Sequence, residues 1–205
     1  MRVAVLVYGR LDKCIQQYDN IIEHIGRNHE VDFFFSSDES SEFLVNNFIK
    51  LYKPILYDNT KITYDYDLSK YQSSEQVSRV HNMTCHFINK NRVFALLEKH
   101  MQTNNVNYDV VISLRIDLQF ENSFDFSELL DNTLYIPHNE DHGGINDRVA
   151  YGKVDVMKKY NSIDPVFLLE QKLSIIHPES LTLANIKFNE LLVKRVDLKC
   201  NNIIR

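Results

Sequence analysis

The chain has 205 residues, 44% hydrophobic, 25% charged and 11% aromatic, a balance that excludes a disordered, collagen-like or coiled-coil polypeptide. Its 23 Lys and Arg against 28 Asp and Glu leave a formal charge of −5, without the basic excess expected of a nucleic-acid binder. Aromatic content is carried by 11 Tyr and 12 Phe, with no Trp, and only 5 Gly and 4 Pro punctuate the chain.

Val3–Val7 is a continuous apolar run, the pattern of a strand buried on both faces. Tyr8-Gly9-Arg10 ends it too soon for the apolar core of a signal peptide. Asp12 is placed to cap a helix whose stripe is Cys14, Ile15, Tyr18, Ile21, Ile22 and Ile25. Val31–Phe35 reads as a second strand, and Phe43, Leu44, Phe48 and Leu51 as the stripe of a second helix. Pro54–Tyr57 reads as a third strand with Pro54 at its first position, where a missing N–H is tolerated. Residues 58–72 are polar and aperiodic, a loop. Ser74–Met101 carries the longest amphipathic pattern, and Tyr108–Leu114 a fourth strand, with a short fifth at Leu118–Phe120. Leu134–Ile136 and Arg148–Tyr151 are further strands around a Gly143-Gly144 loop, Lys153–Tyr160 and Pro178–Asn189 are helices, and Val193–Arg205 is a basic-apolar end. Strand–helix alternation followed by β-rich sequence predicts one α/β domain over 1–205, its sheet parallel at first and mixed later.

No run approaches the ~20 apolar residues of a membrane span. Cys14, Cys85 and Cys200 are scattered, which argues against a disulfide framework or a zinc ribbon and for a reducing, cytoplasmic location.

Ligands of open α/β sheets bind beyond the carboxyl ends of the strands. That rule selects Tyr8, Gly9 and Arg10 after the first strand, Asp38 after the second, and Arg115 and Asp117 after the fourth. No P-loop or G-x-G-x-x-G is present. An Arg at a strand end offers a planar fork for phosphate, and an Asp there can hold a hard cation. The segment Pro137–Gly152, read as a loop at its start, concentrates His138, Glu140, Asp141, His142 and Asp147, groups suited to metal binding or proton transfer. In His177-Pro178-Glu179 the acid suits a helix N-terminus, and His177, held extended before Pro178, could face the site.

Jointly, Val-Ala-Val-Leu-Val-Tyr-Gly-Arg, Val-Asp-Phe-Phe-Phe-Ser-Ser, Tyr-Asp-Val-Val-Ile-Ser-Leu-Arg-Ile-Asp, Gly-Gly-Ile-Asn-Asp-Arg-Val-Ala-Tyr-Gly and His-Pro-Glu-Ser-Leu resemble the small GT-A-type glycosyltransferases, especially those encoded by large DNA viruses such as the chlorella viruses for capsid glycans. The resemblance implies a three-layer α/β/α fold around a mixed, mostly parallel sheet. Its N-terminal half would bind a nucleotide-sugar, a UDP-sugar by analogy alone, and its C-terminal half a glycan acceptor. It implies Mn2+ or Mg2+ held by Asp117 and His177; Arg115 stands where the family's Asp-x-Asp motif has its first Asp. Tyr8, Gly9, Arg10, Asp38 and Arg115 would line the nucleotide, with Tyr8 stacked on the base. Asp147 is the expected catalytic base, with Asp141 and then Glu140 as substitutes. The chain could stand alone or belong to a longer multidomain enzyme. Two other readings stay open: a metal-dependent phosphate or nucleotide hydrolase using Asp117, His138 and His142, and a non-catalytic nucleotide-sugar-binding module.

Overall fold

The computed structural model describes residues 1–26, 28–63, 74–164 and 177–202. Part of the expected loop (64–72), Ile175, Ile176 and the last three residues lie outside them. Strands β1 (Arg2–Tyr8), β2 (Glu30–Ser36), β3 (Leu56–Asp58), β4 (Val110–Arg115), β5 (Leu118–Phe120), β6 (Thr133–Pro137), β7 (Val149–Gly152), β8 (Leu192–Val196) and β9 (Cys200–Asn202) alternate with α1 (Cys14–Ile25), α2 (Glu42–Tyr52), α3 (Ser74–Asn104), α4 (Val154–Asn161) and α5 (Pro178–Phe188).

Seven strands make one sheet in the order β3-β2-β1-β4-β7-β6-β8, so both halves of the chain contribute to it. β1, β2, β3 and β4 run parallel, β7 is antiparallel to β4 and to β6, and β6 and β8 are parallel to each other. β5 and β9 form a separate antiparallel ribbon. The alternation of side chains along β1 sorts the layers. Val3, Val5 and Val7 pack with α1, α2 and the β5–β9 ribbon, whereas Ala4, Leu6 and Tyr8 pack with α3, α4 and α5. This is the three-layer α/β/α arrangement that the resemblance implies, with the sheet parallel at first and mixed later that strand–helix alternation predicts.

Two local readings are corrected. Asp12 is not the N-cap residue of α1: that position is Lys13, whose side chain makes no cap bond, and a turn closed by Cys14 N–H to Leu11 O (3.0 Å) feeds the chain into the helix. Pro54 precedes rather than opens β3; Lys53 ends α2 in a left-handed conformation (φ 46°), and pairing with β2 begins at Leu56. No helix among the described residues is long and apolar enough to cross a membrane.

Candidate functional site

Because β7 runs against its neighbours, the residues leading into it arrive at the carboxyl ends of β1, β4 and β6. Arg115 at the end of β4 donates its backbone N–H to Arg148 O (2.9 Å), which sets Asp147 and Arg148 beside the Arg115–Asp117 turn. Tyr8, from β1, donates its hydroxyl proton to Asp147 O (2.9 Å). α3 crosses this end and is pinned by polar pairs: the buried Ser36 Oγ to Asn89 Oδ1 (2.9 Å), and the partly buried Asn91 with both backbone groups of Ile163 (2.5 and 2.9 Å). Those pins deliver His86 and Lys90 to Asp147.

Asp147 is the centre. Its side chain is 2% exposed, and His86 Nε2 lies 3.2 Å from its Oδ2 without the alignment of a hydrogen bond. Burial, then the charge of Glu179, raise the Asp147 pKa above its ordinary range, against the pull of Arg115, Lys90 and Arg148. Burial, then Lys90 and Arg115, hold the His86 pKa well below its ordinary value, so the His86–Asp147 contact is not an ion pair. Lys90 is 0% exposed, has no hydrogen-bond partner at Nζ, and sits 3.8 Å from the centroid of the Tyr160 ring. Loss of water pushes its pKa down to about 7, opposed by Asp147. A cation over an aromatic face keeps some of the electrostatic support that water would supply.

Arg115 and Asp117 form a two-bond fork, Nε to Oδ1 (3.0 Å) and Nη2 to Oδ2 (2.5 Å). Burial works against the Arg115 charge, but Asp117 beside it keeps the guanidinium protonated with a raised pKa.

The loop from 138 to 147 is clamped rather than free. Asp141 accepts two bonds from Arg195 (2.8 and 2.9 Å) and one from the Asn146 N–H (2.9 Å). Glu140 lies 2.7 Å from His142 Nε2 and 3.1 Å from Arg148 Nη1, and the bond from His142 is the main reason its pKa is lowered. Gly144 lies against the first turn of α5, where a Cβ would stand 2.2 Å from the backbone of Glu179; Ile145 N–H also bonds Glu179 O (3.1 Å). No side chain fits at Gly144 without moving the loop.

Of the residues expected from sequence, Tyr8, Arg115, Asp117 and Asp147 come together. Gly9 and Arg10 follow β1 at the same end, Gly9 at φ 91° and Arg10 exposed, and exposed Asp38 follows β2. Tyr8 offers no face to a base: it is buried on the α3 side of the sheet, edge-on to His86 (5.1 Å between centroids) and below Lys90. Asp141 is a loop anchor, since the Arg195 fork takes both its oxygens. His138 and His142 are exposed on the loop.

The donor set does not fit a resident divalent cation at Asp117 and His177. Both Asp117 oxygens face a guanidinium, and His177 is engaged at the start of α5. Its Nδ1 lies 2.9 Å from Glu179 Oε2 and 3.4 Å from Ser180 N; one ring nitrogen can serve only one of them, and the shorter contact makes it a donor to Glu179. The backbone N–H of His177 in turn bonds Ser180 Oγ (3.2 Å). Among the described residues no three His, Cys, Asp or Glu side chains assemble as ligands.

His86, Lys90, Tyr160 and Glu179 were not singled out as site residues by sequence. A signal for Lys90 existed: it is flanked at helical spacing by Met83, Phe87, Val93, Phe94 and Leu97, all buried, so periodicity places a charge on the apolar face. A shallow cleft near Met1, Tyr108, Asp109 and Lys153 lies at the opposite end of the sheet and gathers no comparable chemistry. No protein-family model matches the chain, and no curated protein matches it significantly.

Proposed function

We propose that the chain is a glycosyltransferase that moves a sugar from a nucleoside-diphosphate sugar, with UDP-sugars the first donors to test, to a hydroxyl of a glycan acceptor. The observation that carries this reading is the meeting, at the carboxyl ends of the strands, of an Asp-oriented guanidinium and a buried carboxylate of raised pKa. In the reaction the acceptor oxygen bonds to the anomeric carbon. The bond from that carbon to the diphosphate breaks, its electron pair staying on the diphosphate oxygen. The acceptor proton passes to Asp147. Arg115 supports the charge growing on the leaving group, where a fixed cation needs no reorganisation.

A raised pKa suits Asp147 to accept a proton, since a base works best near the operating pH. At 2% exposure it meets an acceptor only if His86, itself 13% exposed, shifts or relays the proton, so the two side chains are the proposed unit. The donor nucleoside rests on the resemblance alone. Three buried, unpaired cysteines suit the reducing cytoplasm proposed as the location.

Thermal-shift measurements with UDP-, GDP- and CMP-sugars, with and without Mn2+, test the reading. A cognate donor at 100 times its Kd should stabilise the fold by about 2.7 kcal/mol, several degrees of melting temperature. If no nucleotide moves the melting temperature under any metal condition, the reading is wrong.

A further inference from the structure

We infer that Arg115 itself does the work of a divalent cation on the diphosphate, and that Asp117 is the positioning residue that holds Arg115 for it. The inference rests on the nucleotide-sugar reading above and departs from the Mn2+ or Mg2+ that the resemblance implies.

Three observations carry it. Asp117 presents both oxygens to Arg115 at 3.0 and 2.5 Å, so a metal ion bound there would share its ligand with a full positive charge at contact range. Arg115 keeps donors to spare: of the five guanidinium N–H groups, Asp117 takes two, leaving three. The Arg115 side chain is also 30% exposed at the end of β4, and its backbone is tied to Arg148 O at 2.9 Å. Of the other two cations that act on Asp147, Lys90 is 0% exposed and cannot touch a phosphate in this conformation, and Arg148, 11% exposed, is engaged by Glu140 at 3.1 Å. A planar fork held on one side by a carboxylate and open on the other is suited to two phosphate oxygens.

The test is calorimetric titration of UDP, and separately of inorganic pyrophosphate, into the wild-type chain and into Arg115→Met, Arg115→Lys, Asp117→Asn and the Arg115→Met/Asp117→Asn double variant. Each is run in EDTA and in Mn2+. The wild type should bind UDP in EDTA within about 3-fold of its affinity in Mn2+. Arg115→Met should weaken binding by about 10- to 100-fold, the range of a charge-assisted hydrogen bond. Arg115→Lys, which keeps the charge and so controls for misfolding, should recover part of that loss. Asp117→Asn should weaken binding less, and the double variant no more than Arg115→Met alone, because the carboxylate acts through the guanidinium. Wild-type UDP binding that needs Mn2+ and survives Arg115→Met but not Asp117→Asn overturns the inference. Pyrophosphate binding lost in Arg115→Met, without UDP binding, sinks the nucleotide-sugar reading while supporting the Arg115 anion site. Absence of binding by both probes overturns the site as well.

Discussion

Lys90→Met is the sharpest probe of the buried centre, because it removes a charge while keeping a flexible side chain of similar length. In the folded chain the ammonium is pushed down from 10.5 to about 7, chiefly by loss of water. A base with a depressed folded pKa leaves the unfolded chain binding more protons between those two values. Stability therefore rises with pH from about 7 to about 10.5, and the full penalty is carried below pH 7. At about 1.4 kcal/mol per pKa unit, the Lys90 contribution to wild-type stability should grow by up to about 5 kcal/mol across that window. Met contributes no such slope. At pH 6 the variant should be more stable than the wild type by a few kcal/mol, less than the full amount because Asp147 loses a cation that favours its ionised form. Urea unfolding followed by circular dichroism from pH 6 to 10 reads both quantities, with equal m-values showing that the same surface is exposed. Parallel stability curves for wild type and variant would refute the electrostatic account of Lys90.

Other outcomes follow from the same geometry. Asp147 has a raised folded pKa, so as a base it should give transfer activity an acid limb above the ordinary aspartate value of 3.8; a limb at or below that value, read from the pH profile of kcat/KM, argues against it. Asp141→Asn should leave kcat within about 3-fold of wild type and cost about 1 kcal/mol or less, since its partner Arg195 and it are both partly exposed; a hundredfold loss would make Asp141 a catalytic group. Gly144→Ala should destabilise by about 1–3 kcal/mol through overpacking against Glu179, visible as a lowered melting temperature; an unchanged melting temperature would show that the loop yields freely. Asn89→Ala should cost about 1–3 kcal/mol by stranding the buried Ser36 hydroxyl, and urea titration measures it.

The legible part of the fold was what local pattern dictates. The apolar runs at Val3, Val31 and Tyr108 and the long amphipathic stretch from Ser74 give β1, β2, β4 and α3 within a few residues. Strand ends then pointed to Tyr8, Arg115 and Asp117 without any contact being known. Strand direction was not legible: a four-residue β7 reads the same either way, yet its antiparallel run is what brings Asp147 to the site. The burial of Tyr8 follows from its place on the α3 face of a central strand, which depends on the register of the whole sheet. The partnerships of Asp117 and Asp141 were equally hidden. Each carboxylate looks like a ligand or a base until the guanidinium beside it, two residues away for Asp117 and 54 for Asp141, is placed.

Nucleotide release from UDP-sugar donors, followed by chromatography with and without glycan acceptors, tests the central claim most directly when wild type and Asp147→Asn are compared. The account predicts release that acceptor accelerates in the wild type, lowered about 10²- to 10⁴-fold in the variant, with UDP affinity unchanged. Equal turnover by the two proteins, or no acceptor-dependent release from any donor by the wild type, would contradict it.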